Sequence, residues 1–236
     1  MVELLLTTHN LPGRVGSPRV AEAITGLTAR SDILTLNEAR EHHRHLDALP
    51  GWKTFVAEDP ALTISWRDDL LRMVDYGCHW AYDDTFVGRW GAGPSTLRAA
   101  WDPAVTLEIR QTAERICVLA VHLAPSVTRR RPALAKSRDS WEKRRQIYRD
   151  EVAMIARVAE SNHAATPFVV AGDFNAPPAF ELLDPLRDAG LATVRTDPTH
   201  GRRQIDLAWA RGCGLSFVET TRTASDHRAV TWRITL

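Results

Sequence analysis

Apolar and polar positions along the chain fall into two periods. Val2 to Thr8 predicts a strand ending at His9-Asn10, and Asp32 to Leu36 predicts a buried strand ending at Asn37-Glu38. Trp52 to Ala57, Ala61 to Arg67, Leu71 to Tyr76, Thr96 to Trp101 and Ala104 to Arg110 read as further strands. Ile116 to Leu123 is strongly apolar and carries His122 near its end, and Phe168 to Ala171 is a short buried strand that delivers Asp173. Arg203 to Ala210, Leu215 to Glu219 and Ala229 to Leu236 complete the set. Helical spacing appears at Val20, Ala23, Ile24 and Leu27, predicting a helix over Val20 to Ala29. Ile147, Val152, Ile155 and Val158 mark the buried face of another over Trp141 to Ser161. Ala39 to Leu49 and Phe180 to Gly190 predict two more, the latter with Gly190 at its C-terminal cap. Helices set between runs of consecutive strands predict an α/β chain: two mostly antiparallel sheets packed face to face, helices outside, four layers.

Length and composition bound this picture without changing it. A chain of 236 residues, 44% hydrophobic and 25% charged, suits one globular domain over residues 1–236. Thirty basic residues against 29 acidic leave a net charge of +1, so bulk charge does not decide for or against nucleic acid. Cys78, Cys117 and Cys213 are widely spaced and form no C-x-x-C pair, which argues against structural zinc and a disulfide framework. The chain opens on Met1-Val2-Glu3 and then Leu4-Leu5-Leu6, with no basic segment ahead of a signal-length apolar run. No apolar run reaches membrane-spanning length. A cytoplasmic protein with no membrane segment is expected.

Chemistry collects where the strands end. Gly172-Asp173-Phe174-Asn175-Ala176 and Ser225-Asp226-His227 each follow or flank apolar runs, and Asn10, Asn37-Glu38, His122 and Asp206 stand at similar places. Ligands gather at such rims. Asp, Asn and His are the side chains that hold a hard divalent cation, aim a water and steady a phosphate. Any one of these strings alone is an ordinary turn, since Gly permits unusual backbone angles and Asp and Asn bond locally to the backbone. Asp206 inside an apolar strand is harder to dismiss, because an unpaired buried carboxylate is costly. His42, His43 and His45 do not share one helix face and read as solvated. Trp52, Trp66, Trp209 and Trp232 lie in apolar strands and read as core.

In order, these residues resemble the endonuclease/exonuclease/phosphatase superfamily, the DNase I-like fold. The resemblance rests on Asn10, Glu38, Val121-His122-Leu123, Gly172 to Asn175, Ile205-Asp206 and Ser225 to His227, and spans Val2 to Leu236. It implies metal-dependent phosphodiester hydrolysis with Mg²⁺ or Mn²⁺. Asn10 and Glu38 would hold the metal, with Asp226 near it or at a second position. Asp173 would orient or deprotonate the attacking water, and Asn175 would donate to a phosphate oxygen. His227 would contact the scissile phosphate with Asp206 on its other ring nitrogen, and His122 would serve near the leaving oxygen. Asn37 stands where the family usually has Gln, one methylene longer, so its contact must differ.

The substrate class expected is DNA or RNA. Arg129, Arg130 and Arg131 open the one dense basic run, which continues through Arg144, Arg145 and Arg149. It reads either as an arm that tracks a polyanionic backbone or as a solvated helix face paired with Asp139, Glu142, Asp150 and Glu151. A phosphatase or phosphodiesterase for a small or lipid phosphate is the alternative within enzymes. A binding module that has kept the fold and lost the chemistry is disfavoured, because each position named above is chemically competent.

Overall fold

The structure, a computed structural model, describes residues 1–11, 17–56, 61–82, 85–90, 93–97, 100–129, 135–162 and 166–236. In chain order its elements are β1 (Glu3–Asn10), α1 (Ser17–Thr28), β2 (Ile33–Asn37), α2 (His43–Asp47), β3 (Trp52–Val56), β4 (Leu62–Arg67), β5 (Leu71–Tyr82), β6 (Thr85–Trp90), β7 (Gly93–Leu97), β8 (Ala100–Ile109), β9 (Arg115–His122), α3 (Ala135–Ser161), β10 (Phe168–Asp173), α4 (Asp184–Asp188), β11 (Ala192–Thr193), β12 (Asp206–Arg211), β13 (Gly214–Thr221) and β14 (Ala229–Thr235). One sheet has the order β13-β14-β1-β2-β4-β3 and the other β11-β12-β10-β9-β8-β5, while β6 and β7 pair with each other. Within the two large sheets β1–β2 and β9–β10 are parallel and the other neighbours antiparallel.

The central strands read as unbroken apolar runs because both of their faces are covered. Successive side chains go to different cores. Val118 and Ala120 face the layer between the sheets with Leu6, Ile64, Val169 and Trp232. Leu119 and Val121 face outward onto α3, through Tyr148, Val152 and Ile155. On the other side Val20, Ile24 and Leu27 of α1 cover Leu34 and Leu36. Each buried Val, Leu or Ile among these contributes about 1.5–3 kcal/mol. The result is the expected four layers, helix–sheet–sheet–helix. No helix of the described residues is long and apolar enough to cross a membrane.

Element boundaries differ from expectation where the local signal is weak. Asp102-Pro103 predicts a break between two strands, but β8 runs through it, with Pro103 opposite Cys78 and the pairing to β9 starting only at Ala104. A proline is tolerated where one side of its strand is free. β5 continues past Tyr76 as far as Tyr82 on the same pairing. α3 begins at Ala135, ahead of the first apolar-periodic residue. The predicted Phe180–Gly190 helix is a 3₁₀ turn, Glu181–Leu183, followed by α4 with Pro185 in its first turn. Gly190 does cap it: φ is +79° there, and Leu191 N–H bonds back to the Leu186 carbonyl. Trp66, Trp209 and Trp232 are buried as expected.

Candidate active site

Sheet register gathers the predicted residues at one end of the sandwich. In the second sheet His122, Asp173 and Asp206 lie side by side across β9, β10 and β12. In the first, Asn10 lies beside Asn37. β14 runs back along β1, so the loop before it places Ser225 and His227 at the same end. Face-to-face packing then closes the gap: Asn10 Nδ2 donates to Asp173 Oδ2 at 3.0 Å. The shorter Asn37 finds its own partner across the sheets, donating to the Val121 carbonyl at 2.7 Å.

The Gly-Asp-Phe-Asn string makes a tight turn here. Gly172 lies against β9 so closely that a Cβ would stand 1.9 Å from the Val121 carbonyl oxygen. Asn175 sits at φ +51°, and its backbone N–H donates to Asp173 Oδ1 at 2.7 Å. This is an Asx turn, so extended geometry does not persist from Asp173 to Asn175. The Asn175 amide donates to the Leu123 carbonyl at 2.9 Å. Glu38 sits at φ +56°, off the end of β2. Left-handed backbone at non-glycine residues carries strain that clusters at functional sites.

A cleft of about 310 Å³ is lined by Asn10, Glu38, His122, Asp173, Asn175 and His227, with Leu123 to Pro125 as one wall. Asp173 is only 2% exposed. His122 Nε2 lies 3.7 Å and His227 Nε2 3.9 Å from its Oδ2. Burial and the neighbouring Asp206 carboxylate push the Asp173 carboxyl above the usual Asp range, against the pull of His122, His227 and the Asn175 N–H. His227 Nδ1 meets both Asp206 oxygens, at 2.9 and 3.2 Å. Burial works against charge on His227, but the Asp206 hydrogen bond and the Asp206, Asp173 and Asp226 carboxylates outweigh it and raise the imidazole to about 9. His227 is therefore a cation at neutral pH.

Other predicted residues stand apart. Asp206 is fully buried behind His227 and does not line the cleft. Asp226 is exposed, pairs with His200 Nε2 at 3.3 Å and is not among the residues that line the cleft. Ligand atoms of Asp173, Asp206 and His227 lie within 4.8 Å of one another, as do those of His200, Asp226 and His227. Arg129 is exposed outside the cleft lining, and Arg130 and Arg131 lie outside the described residues. Part of the basic run is structural: Arg145 donates to the Val127 carbonyl and to Glu181 at 3.1 and 2.7 Å. Glu151 is no solvated helix-face partner. It is buried and accepts the Ala124 N–H at 2.9 Å, which fixes the cleft wall, and burial pushes its carboxyl well above the usual range.

Sequence reasoning missed several supports. Ser225 Oγ donates to the Asn10 carbonyl at 2.8 Å and accepts the His227 N–H at 3.2 Å, joining the two chain ends of the site. Thr223 supports Ser225 in turn and bonds to buried His9 at 3.0 Å. Burial lowers His9 to about 4, so it stays neutral. Tyr148 donates to the Phe174 carbonyl at 2.9 Å from beneath the turn. His200 was masked by its place in a polar stretch with no strand signal.

Two packed sheets thus carry a carboxylate–histidine cleft at their strand ends. The sequence profile described as the Endonuclease/Exonuclease/phosphatase family matches residues 7–227. The chain belongs to that family of hydrolases. Its fold is similar to Bacteroides thetaiotaomicron VPI-5482 mannosyl-6-phosphatase Bt3783, with TM-score 0.71, 15% identity and 99% and 100% of the two chains covered. D. rerio TDP2 complexed with single strand DNA product matches with TM-score 0.72 and 12% identity, covering 99% of each chain. The human Nocturnin catalytic domain with bound sulfate anion matches with TM-score 0.71 and 15% identity over 99% and 94% of the chains. No curated protein matches the chain by sequence.

Proposed function

We propose that this chain is a divalent-metal-dependent phosphodiester hydrolase acting on DNA or RNA by in-line attack of an activated water. The observation that carries the reading is Asp173: a buried carboxylate at an open cleft, between two imidazoles, with its acidity weakened. A carboxylate raised toward neutrality is the better proton acceptor, so Asp173 is the general base. Asn10 and the Asn175 N–H hold its two oxygens and fix its direction. His227, kept cationic against Asp206, offers Nε2–H to a non-bridging phosphate oxygen. His122, partly exposed in the cleft lining, is the residue we assign to pass a proton to the leaving oxygen. An amide nitrogen carries two hydrogens, so Asn175 keeps one for phosphate after bonding to Leu123.

The donor set suits Mg²⁺ or Mn²⁺. Glu38 faces the cleft with no hydrogen bond or ion pair among the described residues. Asn10 commits its N–H to Asp173, which leaves its amide oxygen open. Both are the hard oxygen ligands that such ions take. When bound, the ion supplies Lewis-acid polarisation of the phosphoryl oxygen. Asp226, which pairs with His200 outside the cleft lining, would serve near that ion or at a second position.

The likeness to D. rerio TDP2 with its DNA product supports a nucleic-acid substrate, as does exposed Arg129 on the segment after β9. The test is incubation with single- and double-stranded DNA, RNA, bis-p-nitrophenyl phosphate and a sugar phosphate, each with Mg²⁺ or Mn²⁺. Cleavage of a polymer is expected. Turnover of the sugar phosphate alone would replace this reading with a phosphatase.

A further inference from the structure

The His227 imidazole has neighbours on three sides. Asp206 takes Nδ1 at 2.9 Å, and Nε2 points toward Asp173 at 3.9 Å. One face is covered by the His200 imidazole, with ring centroids 4.6 Å apart and planes tilted by 38°. His200 has a polar neighbour at each ring nitrogen. An Arg203 guanidinium nitrogen stands 2.9 Å from its Nδ1. Guanidinium only donates, so Nδ1 accepts and the ring hydrogen belongs to Nε2, which faces Asp226 at 3.3 Å.

The backbone beneath is equally fixed. His200 and Arg203 exchange backbone hydrogen bonds across a tight turn with Gly201 at φ +59°. Thr199, 1% exposed, pins that turn to Asp206 and to the residue that follows His227. Its hydroxyl accepts the Asp206 N–H at 3.1 Å, and its carbonyl accepts the Arg228 N–H at 2.8 Å. The His200 ring therefore has a polar neighbour at each nitrogen and one face against His227.

We propose that His200 is a positioning residue acting through His227: its ring face holds the His227 imidazole in the plane that serves Asp206 and the cleft together. The proposal rests on the reading of His227 as the phosphate-contacting group. A hydrogen bond at Nδ1 alone leaves the imidazole free to pivot about that contact. A ring packed against its face removes the pivot. Misplacing a catalytic group by about 1 Å can cost on the order of a hundredfold in rate, so a partial loss of restraint is visible in kcat. The packed face is the operative part, and a phenyl ring substitutes for it.

Wild type, His200→Ala and His200→Phe are compared as full chains. The first readout needs no substrate: the low-field NMR line of the His227 Nδ1 proton, assigned by its loss in His227→Gln. The line broadens by solvent exchange in His200→Ala and returns in His200→Phe. With bis-p-nitrophenyl phosphate, kcat falls about tenfold in His200→Ala and returns to within about threefold of wild type in His200→Phe, while KM stays within about twofold. An unchanged line and kcat in His200→Ala would overturn the proposal. So would a phenyl variant as impaired as the alanine one, or a rise in KM at constant kcat, which makes His200 a substrate contact. A wild-type chain that hydrolyses no ester, with the NMR behaviour intact, overturns the functional reading alone.

Discussion

Asp173 and His227 titrate in directions that set the working pH. Asp173 must be ionised to accept a proton, and its raised pKa moves the acid limb above the ordinary Asp range. His227 must be protonated to donate, and it holds its proton until about 9. The pH profile of kcat/KM on a diester should therefore be a bell, with its alkaline limb near 9. Asp206→Asn should move that limb down, since it removes the carboxylate that holds the charge. An unmoved limb would detach it from His227. Asp173→Asn should lower kcat by about two to three orders of magnitude, the scale of removing a general base. Its substrate affinity should survive, because a negative charge facing phosphate has gone. Steady-state kinetics and binding titrations measure the two effects separately.

At the scale of elements, the site is a consequence of register. His122, Asp173 and Asp206 align because β9, β10 and β12 pair without slippage at that end. Gly172 permits the close approach: Gly172→Ala must push β10 from β9, and should cost about 3 kcal/mol by denaturant unfolding together with most of the activity. Full stability in that variant would contradict the tight β9–β10 contact. The strand ends were legible in the sequence because an apolar run stopping at Asp, Asn, Glu or His is a local signal. Asn10, Glu38, His122, Asp173 and Asn175 carry that signal and line one cleft. What was not legible depends on packing between distant segments. Nothing local says that Asn37 bonds to Val121, that Ser225 clasps Asn10, or that Glu151 props the cleft wall. The strand break expected at Pro103 failed for a similar reason, since only the sheet shows which side of β8 lacks a partner.

For the whole molecule, net charge is uninformative and local charge decides how a polymer would be held. Arg129, with Arg130 and Arg131, follows the strand that carries His122. Replacing all three with Ala should weaken nucleic-acid binding and reduce the slope of log K against log[salt] by about 0.7 to 0.9 for each phosphate no longer neutralised. Turnover of a small chromogenic diester should hardly change. An unchanged slope would return the segment to a solvated face and favour a small-phosphate substrate. The most direct single measurement is cleavage of a labelled single-stranded oligonucleotide by the wild-type chain, in EDTA and after Mg²⁺ or Mn²⁺ is restored. Cleavage that stops in EDTA and returns with the ion is the expected result. Equal cleavage in EDTA, or an intact oligonucleotide under every condition, would contradict metal-dependent hydrolysis of nucleic acid at this site.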